Sequence, residues 1–135
     1  MASSTAVHGN SILPGTGVTV EYTPVGAVIR PSPAGAGSGS FLCSIPNPAG
    51  APVTADSIKI DNTRDLTNVT DVQLYSGNAL VSTTDVPTTQ SIGFPLVFSN
   101  AAVGNDDAGW CLVVTVEFKN PASSITVYSL SIQFP

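Results

Sequence analysis

The chain has 135 residues, of which only 10% are charged, and its net charge at pH 7 is −5. That is less than half the charged fraction of a typical soluble domain, and the length is that of a single domain. The only cations are four, scattered along the sequence: Arg30, Lys59, Arg64 and Lys119. Nucleic acid and anionic membrane surfaces both select clustered basic residues. The composition therefore excludes them as expected partners.

The N-terminal third differs from the rest of the chain. It opens MASSTAVH, without the basic and apolar regions of a secretory signal peptide, so we expect synthesis in a reducing cytoplasm. Residues 31–39, PSPAGAGSG, offer no side chain able to build a core. One interpretation is an N-terminal arm over residues 1–39 followed by a β-sandwich domain over residues 40–135. The alternative makes 18–22 the first strand of the sandwich and 31–39 an exposed loop.

Alternation of apolar and polar residues with period two is the dominant pattern. Eleven prolines and twelve glycines leave no window for a convincing helix. Alternation is clear at 18–22, 58–61 and 72–75, and clearest at 110–119. In the last segment one face carries large apolar side chains: Trp110, Leu112, Val114, Val116 and Phe118. These strands predict an all-β antiparallel β-sandwich, immunoglobulin-like or jelly-roll, with an irregular Gly/Pro/Ser-rich N-terminal segment.

A second long strand is predicted at the C-terminus. Residues 120–124, NPASS, form a turn signal, after which Tyr128, Leu130, Ile132 and Phe134 alternate with smaller polar residues. The two strands flanking this turn are expected to pair as a hairpin whose apolar stripes face one core.

The two cysteines are predicted to be free thiols. Cys43 shares its strand face with inward Phe41 and Ile45, whereas Cys111 alternates with inward Trp110 and Leu112. A disulfide needs converging Cβ vectors, which these opposite faces do not provide. The alternative of a bridge stays open at this stage.

The sequence predicts no catalytic, cofactor-binding or metal-binding residue. His8 is the only histidine, so any Ser-His-Asp or Cys-His device would have to be organised around it. We interpret it as a solvated side chain near the terminus and expect the protein not to be an enzyme.

Acidic residues cluster at 61–65, with Asp71 nearby, and at Asp106 and Asp107. The first cluster fails the EF-hand pattern because Leu66 and Val72 occupy its glycine and glutamate positions. The second could supply ligands to a calcium ion, although solvated turns are the favoured interpretation of both.

Tyr75 is the aromatic residue expected on the surface. Sugars stack on such rings, but carbohydrate-binding modules normally use two or three coplanar aromatics, and only 7% of this chain is aromatic.

As a whole, this small, acidic, charge-poor, Ser/Thr/Ala/Gly/Val-rich chain resembles the decoration (cement) proteins of tailed bacteriophages and other accessory β-sandwich proteins of virions. The resemblance implies a non-enzymatic structural protein on the capsid surface, made in the host cytoplasm. Its partners would be the major capsid protein or other virion subunits, and it would form a homo-oligomer, with a trimer as one possibility. A surface of short side chains docks at low entropic cost, which agrees with such a role.

The alternative function is a glycan-binding or adhesin-type immunoglobulin-like module. Residues 61–70, DNTRDLTNVT, resemble loops of bacterial immunoglobulin-like surface repeats. Exposed coplanar aromatics or a calcium ion in the 104–109 loop would favour this alternative.

Overall fold

A computed structural model describes residues 3–32, 37–46, 57–76, 79–85, 95–97 and 109–134. These ranges contain one short 3-10 turn, Gly9–Ser11, and eleven strands: β1 (Ser3–His8), β2 (Ile12–Pro14), β3 (Val18–Thr23), β4 (Gly26–Pro31), β5 (Ser38–Ile45), β6 (Ser57–Asp65), β7 (Thr67–Ser76), β8 (Ala79–Asp85), β9 (Pro95–Val97), β10 (Trp110–Phe118) and β11 (Ser124–Phe134). Within them, no helix is long and apolar enough to cross a membrane.

The strands form two antiparallel sheets. The five-stranded sheet has the order β2-β5-β10-β7-β8, and the six-stranded sheet the order β3-β4-β11-β6-β9, with β1 also paired to β11. From β4 to β7, and again from β9 to β11, each strand lies in the opposite sheet to the one before it. This alternation makes the predicted β-sandwich a jelly roll.

The core lies between the sheets and is built by the predicted alternation. Every even-numbered residue of β10 is buried and every odd-numbered one is at least partly exposed. The six-stranded sheet supplies the opposing apolar layer, including Ile29, Ile58, Ile60, Leu130 and Ile132. Burial of such side chains removes apolar surface from water and is the main stabilising contribution to the fold.

The predicted C-terminal hairpin is wrong. β10 pairs with β5 and β7, while β11 pairs with β4, β6 and β1. The turn at 119–123 therefore carries the chain from one sheet to the other. The apolar stripes of β10 and β11 do face one core, but from opposite sheets. Alternation predicts which side of a strand is buried and does not predict which strand lies beside it.

A single serine joins this crossover to the one between β6 and β7. Ser123 is fully buried, and its Oγ donates to the Leu66 carbonyl at 2.7 Å while accepting from the Lys119 and Asn120 amides at 3.1 and 3.0 Å. Leu66, with φ of 52°, is the one residue between β6 and β7. The two crossovers thus hold the same end of the sandwich closed.

The strands before residue 38 are part of the sandwich and not a separate N-terminal arm over residues 1–39. β1, β3 and β4 lie in the six-stranded sheet, and β2 lies at the edge of the five-stranded one. Gly9 and Gly26 sit so close to the carbonyl oxygen of Val127 that a Cβ on either would overlap it. Gly9 and Gly26 therefore serve close packing between the N-terminal strands and β11.

Tyr128 is not part of the apolar stripe predicted for β11. A register shift between Val127 and Ser129 opposite β6 changes the phase of the strand, so Ile125 and Val127 are buried before it and Leu130 after it. Tyr128 is half-buried, and its hydroxyl lies 3.1 Å from Thr63 Oγ1. A β-bulge of this kind cannot be read from alternation.

Both cysteines are free thiols, as predicted. Cys43 is fully buried and pairs across strands with Leu112, whereas its neighbour Cys111 pairs with Ser44 and is partly exposed. Burial, with a smaller contribution from the nearby Cys111, raises the pKa of the Cys43 thiol to about 11. Burial also raises the pKa of the Cys111 thiol, opposed in part by a hydrogen bond from the Cys43 backbone.

Candidate ligand-binding face

The outer face of the five-stranded sheet carries two adjacent rows of uncharged side chains. Register places Leu13, Leu42, Val113, Gln73 and Thr83 in one row, and Ser44, Cys111, Tyr75 and Leu80 in the next. We call these nine residues the neutral belt. On β5, β7 and β10 the belt residues alternate along the strand with buried core residues, and all nine belt side chains are at least partly exposed.

Tyr75 is the aromatic group of the belt. It lies on β7 between Cys111 of β10 and Leu80 of β8, which is 50% exposed. Its hydroxyl lies 3.4 Å from Gln73 Oε1, so the ring and the amide belong to one group. The sequence correctly placed Tyr75 on the surface.

Among the described residues, charge on this face is confined to one end. Asp71 and Glu117 are the acidic side chains described there, and Asp71 lies opposite Thr115, on the next row beyond the belt. None of the four cations lies on the belt, because three belong to strands of the other sheet and Lys119 follows β10 in the turn. The belt therefore offers hydrogen-bonding and apolar groups and no positive charge.

The outer face of the six-stranded sheet is the charged one. Five exposed charged side chains lie on its outward positions: Glu21, Arg30, Lys59, Asp61 and Asp65. The Arg30 guanidinium lies 3.3 Å from Glu21 Oε1, with both side chains at least half exposed. Asp61 and Asp65 thus stand on strand β6 and not in the turn that the sequence indicated.

His8 lies at the end of β1 and is exposed. Register places it beside Ser129, which is in turn beside Asp61, so the ingredients of a triad share one face. However, His8 Nδ1 accepts from the Asn10 amide at 3.0 Å, which leaves the proton of the neutral ring on Nε2. A catalytic triad uses the opposite tautomer, with Nδ1–H donating to the carboxylate, and its histidine lies between the other two residues.

No three His, Cys, Asp or Glu side chains come together as metal ligands in the described part of the chain. Asp106 and Asp107, the candidate calcium ligands, lie outside the described residues, as does most of the 104–109 loop.

Sequence reasoning missed most of the belt. Leu42, Gln73 and Val113 come from three separate stretches of outward strand positions, on β5, β7 and β10. They become neighbours only once β10 is known to lie between β5 and β7. The available signal was the pair of apolar outward residues, Leu42 and Val113, on strands whose inward faces were already apolar.

No family model and no curated protein matches the chain. Solved structures do share its fold. A low-affinity xylan-binding module of family 86 from Roseburia intestinalis is similar with a TM-score of 0.59 at 8% identity, over 98% of this chain and 96% of that one. The C-terminal family 6 module of a laminarinase from Zobellia galactanivorans gives 0.55 at 8% identity, over 96% and 98%. A mutant family 29 module complexed with mannohexaose gives 0.52 at 15% identity, over 98% and 92%.

These likenesses show the fold. The chain is a β-sandwich of the architecture used by carbohydrate-binding modules, and it matches them over nearly its whole length.

Proposed function

We propose that this protein is a non-catalytic module that binds a neutral polysaccharide on the neutral belt. The observation that carries the proposal is the belt itself, in which Tyr75 is surrounded by amide, hydroxyl and aliphatic groups without a cation. The named structural neighbours, which are carbohydrate-binding modules, support this function better than a capsid role.

The chemistry of the belt suits a sugar ring. A pyranose has an apolar face of C–H groups and a rim of hydroxyls, and an aromatic ring buries the former while nearby polar groups bond the latter. Tyr75 supplies the aromatic surface, and Gln73, Ser44 and Thr83 supply donors and acceptors. Leu42 and Val113 extend the apolar contact beyond the tyrosine.

The negative charge of the protein favours an uncharged ligand over an acidic one. Asp71 and Glu117 lie beyond one end of the belt, and the whole chain is negatively charged, so uronic acid or sulfated polysaccharides are repelled. Binding of an uncharged chain is expected to change little with ionic strength, because screening acts on charge pairs.

The test is isothermal titration calorimetry with soluble xylan, mannan and laminarin, against polygalacturonate as the acidic comparison. The wild type is expected to bind at least one neutral polymer and not polygalacturonate. Tyr75→Ala is expected to weaken that binding at least tenfold. Tyr128→Ala, which removes the half-buried tyrosine of the opposite face, serves as the matched control and is expected to leave affinity unchanged.

Equal loss in the two tyrosine variants, or no binding to a broad panel of neutral glycans, contradicts the proposal. In the second case the virion decoration role, which stays a prediction, becomes the leading hypothesis. It is checked by cosedimentation with phage capsids.

A further inference from the structure

We propose that the bound polysaccharide crosses the five-stranded sheet at right angles to its strands and continues over the β2 edge onto Tyr22, which acts as a second stacking platform. This inference rests on the proposed function and extends it. It makes the ligand an extended chain and not a single sugar or chain end.

Tyr22 is unusual among the residues of β3. It follows Val18 and Val20 on the side of the strand that faces the core, yet it is 49% exposed. β3 is the edge strand of the six-stranded sheet, and the Tyr22 hydroxyl donates to the Ile12 carbonyl of β2 at 2.7 Å. The ring therefore bridges the edges of the two sheets.

This bridge fixes the ring while leaving about half of it open to solvent. The backbone of β3 anchors one end of the side chain and the hydrogen bond to Ile12 anchors the other. An aromatic ring already held in place loses little conformational entropy when a ligand stacks on it. Tyr22 is thus preorganised for stacking.

The apolar surface is continuous from the belt to this ring. Leu13 follows Ile12 on β2, is 55% exposed, and pairs across strands with Leu42 of the belt. Leu42 pairs in turn with Val113. Leu13 therefore belongs to the belt and is also the belt residue next to the Tyr22 hydrogen bond.

The distance between Tyr75 and Tyr22 sets the minimum length of a ligand that contacts both rings. From β7, which carries Tyr75, to β2 there are three inter-strand steps, or roughly 14 Å at about 4.8 Å each. The path to Tyr22 then adds part of the roughly 10 Å between the sheets. A disaccharide is too short to contact both tyrosines, whereas a chain of several rings contacts both.

The experiment measures affinity for xylo- and manno-oligosaccharides of two to six rings. For whichever series the wild type binds, affinity is expected to rise with length. Tyr22→Ala is expected to lower hexasaccharide affinity at least fivefold while leaving the shortest bound oligosaccharide within twofold of wild type, which also shows that the variant is folded.

Two controls separate stacking from other effects. Tyr22→Phe keeps the ring without its hydrogen bond to Ile12, and is expected to retain most of the hexasaccharide affinity. Glu21→Ala alters the adjacent outward residue of β3 and is expected to leave hexasaccharide affinity unchanged.

Hexasaccharide affinity equal to wild type in Tyr22→Ala overturns this inference. If Tyr75→Ala still weakens all lengths in that case, the proposed function stands and the ligand ends before the β2 edge. If the wild type binds no oligosaccharide or polymer, both proposals fail.

Discussion

The two outer faces of this sandwich differ more than its composition suggests. The face of the six-stranded sheet carries Glu21, Arg30, Lys59, Asp61 and Asp65, a mixture of signs typical of a solvated surface. The face of the five-stranded sheet keeps its described charges at one end and presents a neutral belt elsewhere. Among the described residues, the shortage of charge is therefore one-sided, and this difference is the basis for proposing the neutral belt as the binding face.

The largest expected effect is on the free energy of unfolding, and it compares the core side of the five-stranded sheet, which holds Cys43, with its outer side, which holds Cys111. Cys43 faces the core and holds its proton up to a pKa of about 11, two units above its ordinary value of 9.0. Between these pH values the unfolded state releases a proton that the native state keeps. The free energy of unfolding should therefore fall as pH rises, by up to about 3 kcal/mol.

Denaturant unfolding from pH 8 to 11 checks this prediction. Cys43→Ala is expected to flatten the decline, and Cys111→Ala, on the partly exposed side, to flatten it less. Equal slopes in the wild type and Cys43→Ala would show that the thiol does not ionise differently in the folded protein.

A charge placed on the belt is the next largest expected effect. Val113→Asp puts a carboxylate in the middle of the belt, where a bound sugar would cover it without a partner cation. We expect neutral glycan affinity to fall about 30-fold, or about 2 kcal/mol, by calorimetry. Thr126→Asp makes the same change on the outward face of β11 and should leave affinity within twofold. Similar losses of glycan affinity in both variants would show that the neutral belt is not the binding face.

The smallest expected effect lies on the charged face. The pair between Glu21 and Arg30 is at least half exposed on both sides, and such pairs contribute about 0.2–1 kcal/mol. Glu21→Ala should therefore change the free energy of unfolding by less than 1 kcal/mol. A change of several kcal/mol would mean that this face has a structural role that its exposure conceals.

The sequence predicts the layers of this fold better than their connections. The alternation in β10 identified its buried face from Trp110 to Phe118, because burial is a property of one strand. Pairing depends on two strands, so β10 and β11 were expected side by side although they lie in opposite sheets. The bulge at Tyr128 and the close packing of Gly9 and Gly26 on Val127 depend on backbone geometry, which composition does not contain.

The candidate site was predictable only in part for the same reason. The surface position of Tyr75 can be predicted from its place in an alternating segment. That Cys111 and Leu80 lie beside it can be known only from the order of the strands in the sheet. Tyr22 shares one strand face with Val18 and Val20 in the alternating segment 18–22, and this pattern does not indicate that its ring is exposed. Only the edge position of β3 brings its ring into solvent.

Cys111 permits the most direct test of the central claim, that the neutral belt is the binding face. It lies beside Tyr75, whereas Cys43 on the other side of the sheet is fully buried. The measurement is the rate of Cys111 alkylation by iodoacetamide at pH 9, with and without a saturating neutral hexasaccharide. We expect the ligand to slow this reaction at least fivefold while Cys43 stays unmodified throughout. An unchanged alkylation rate with the oligosaccharide bound would place the ligand elsewhere and contradict the account.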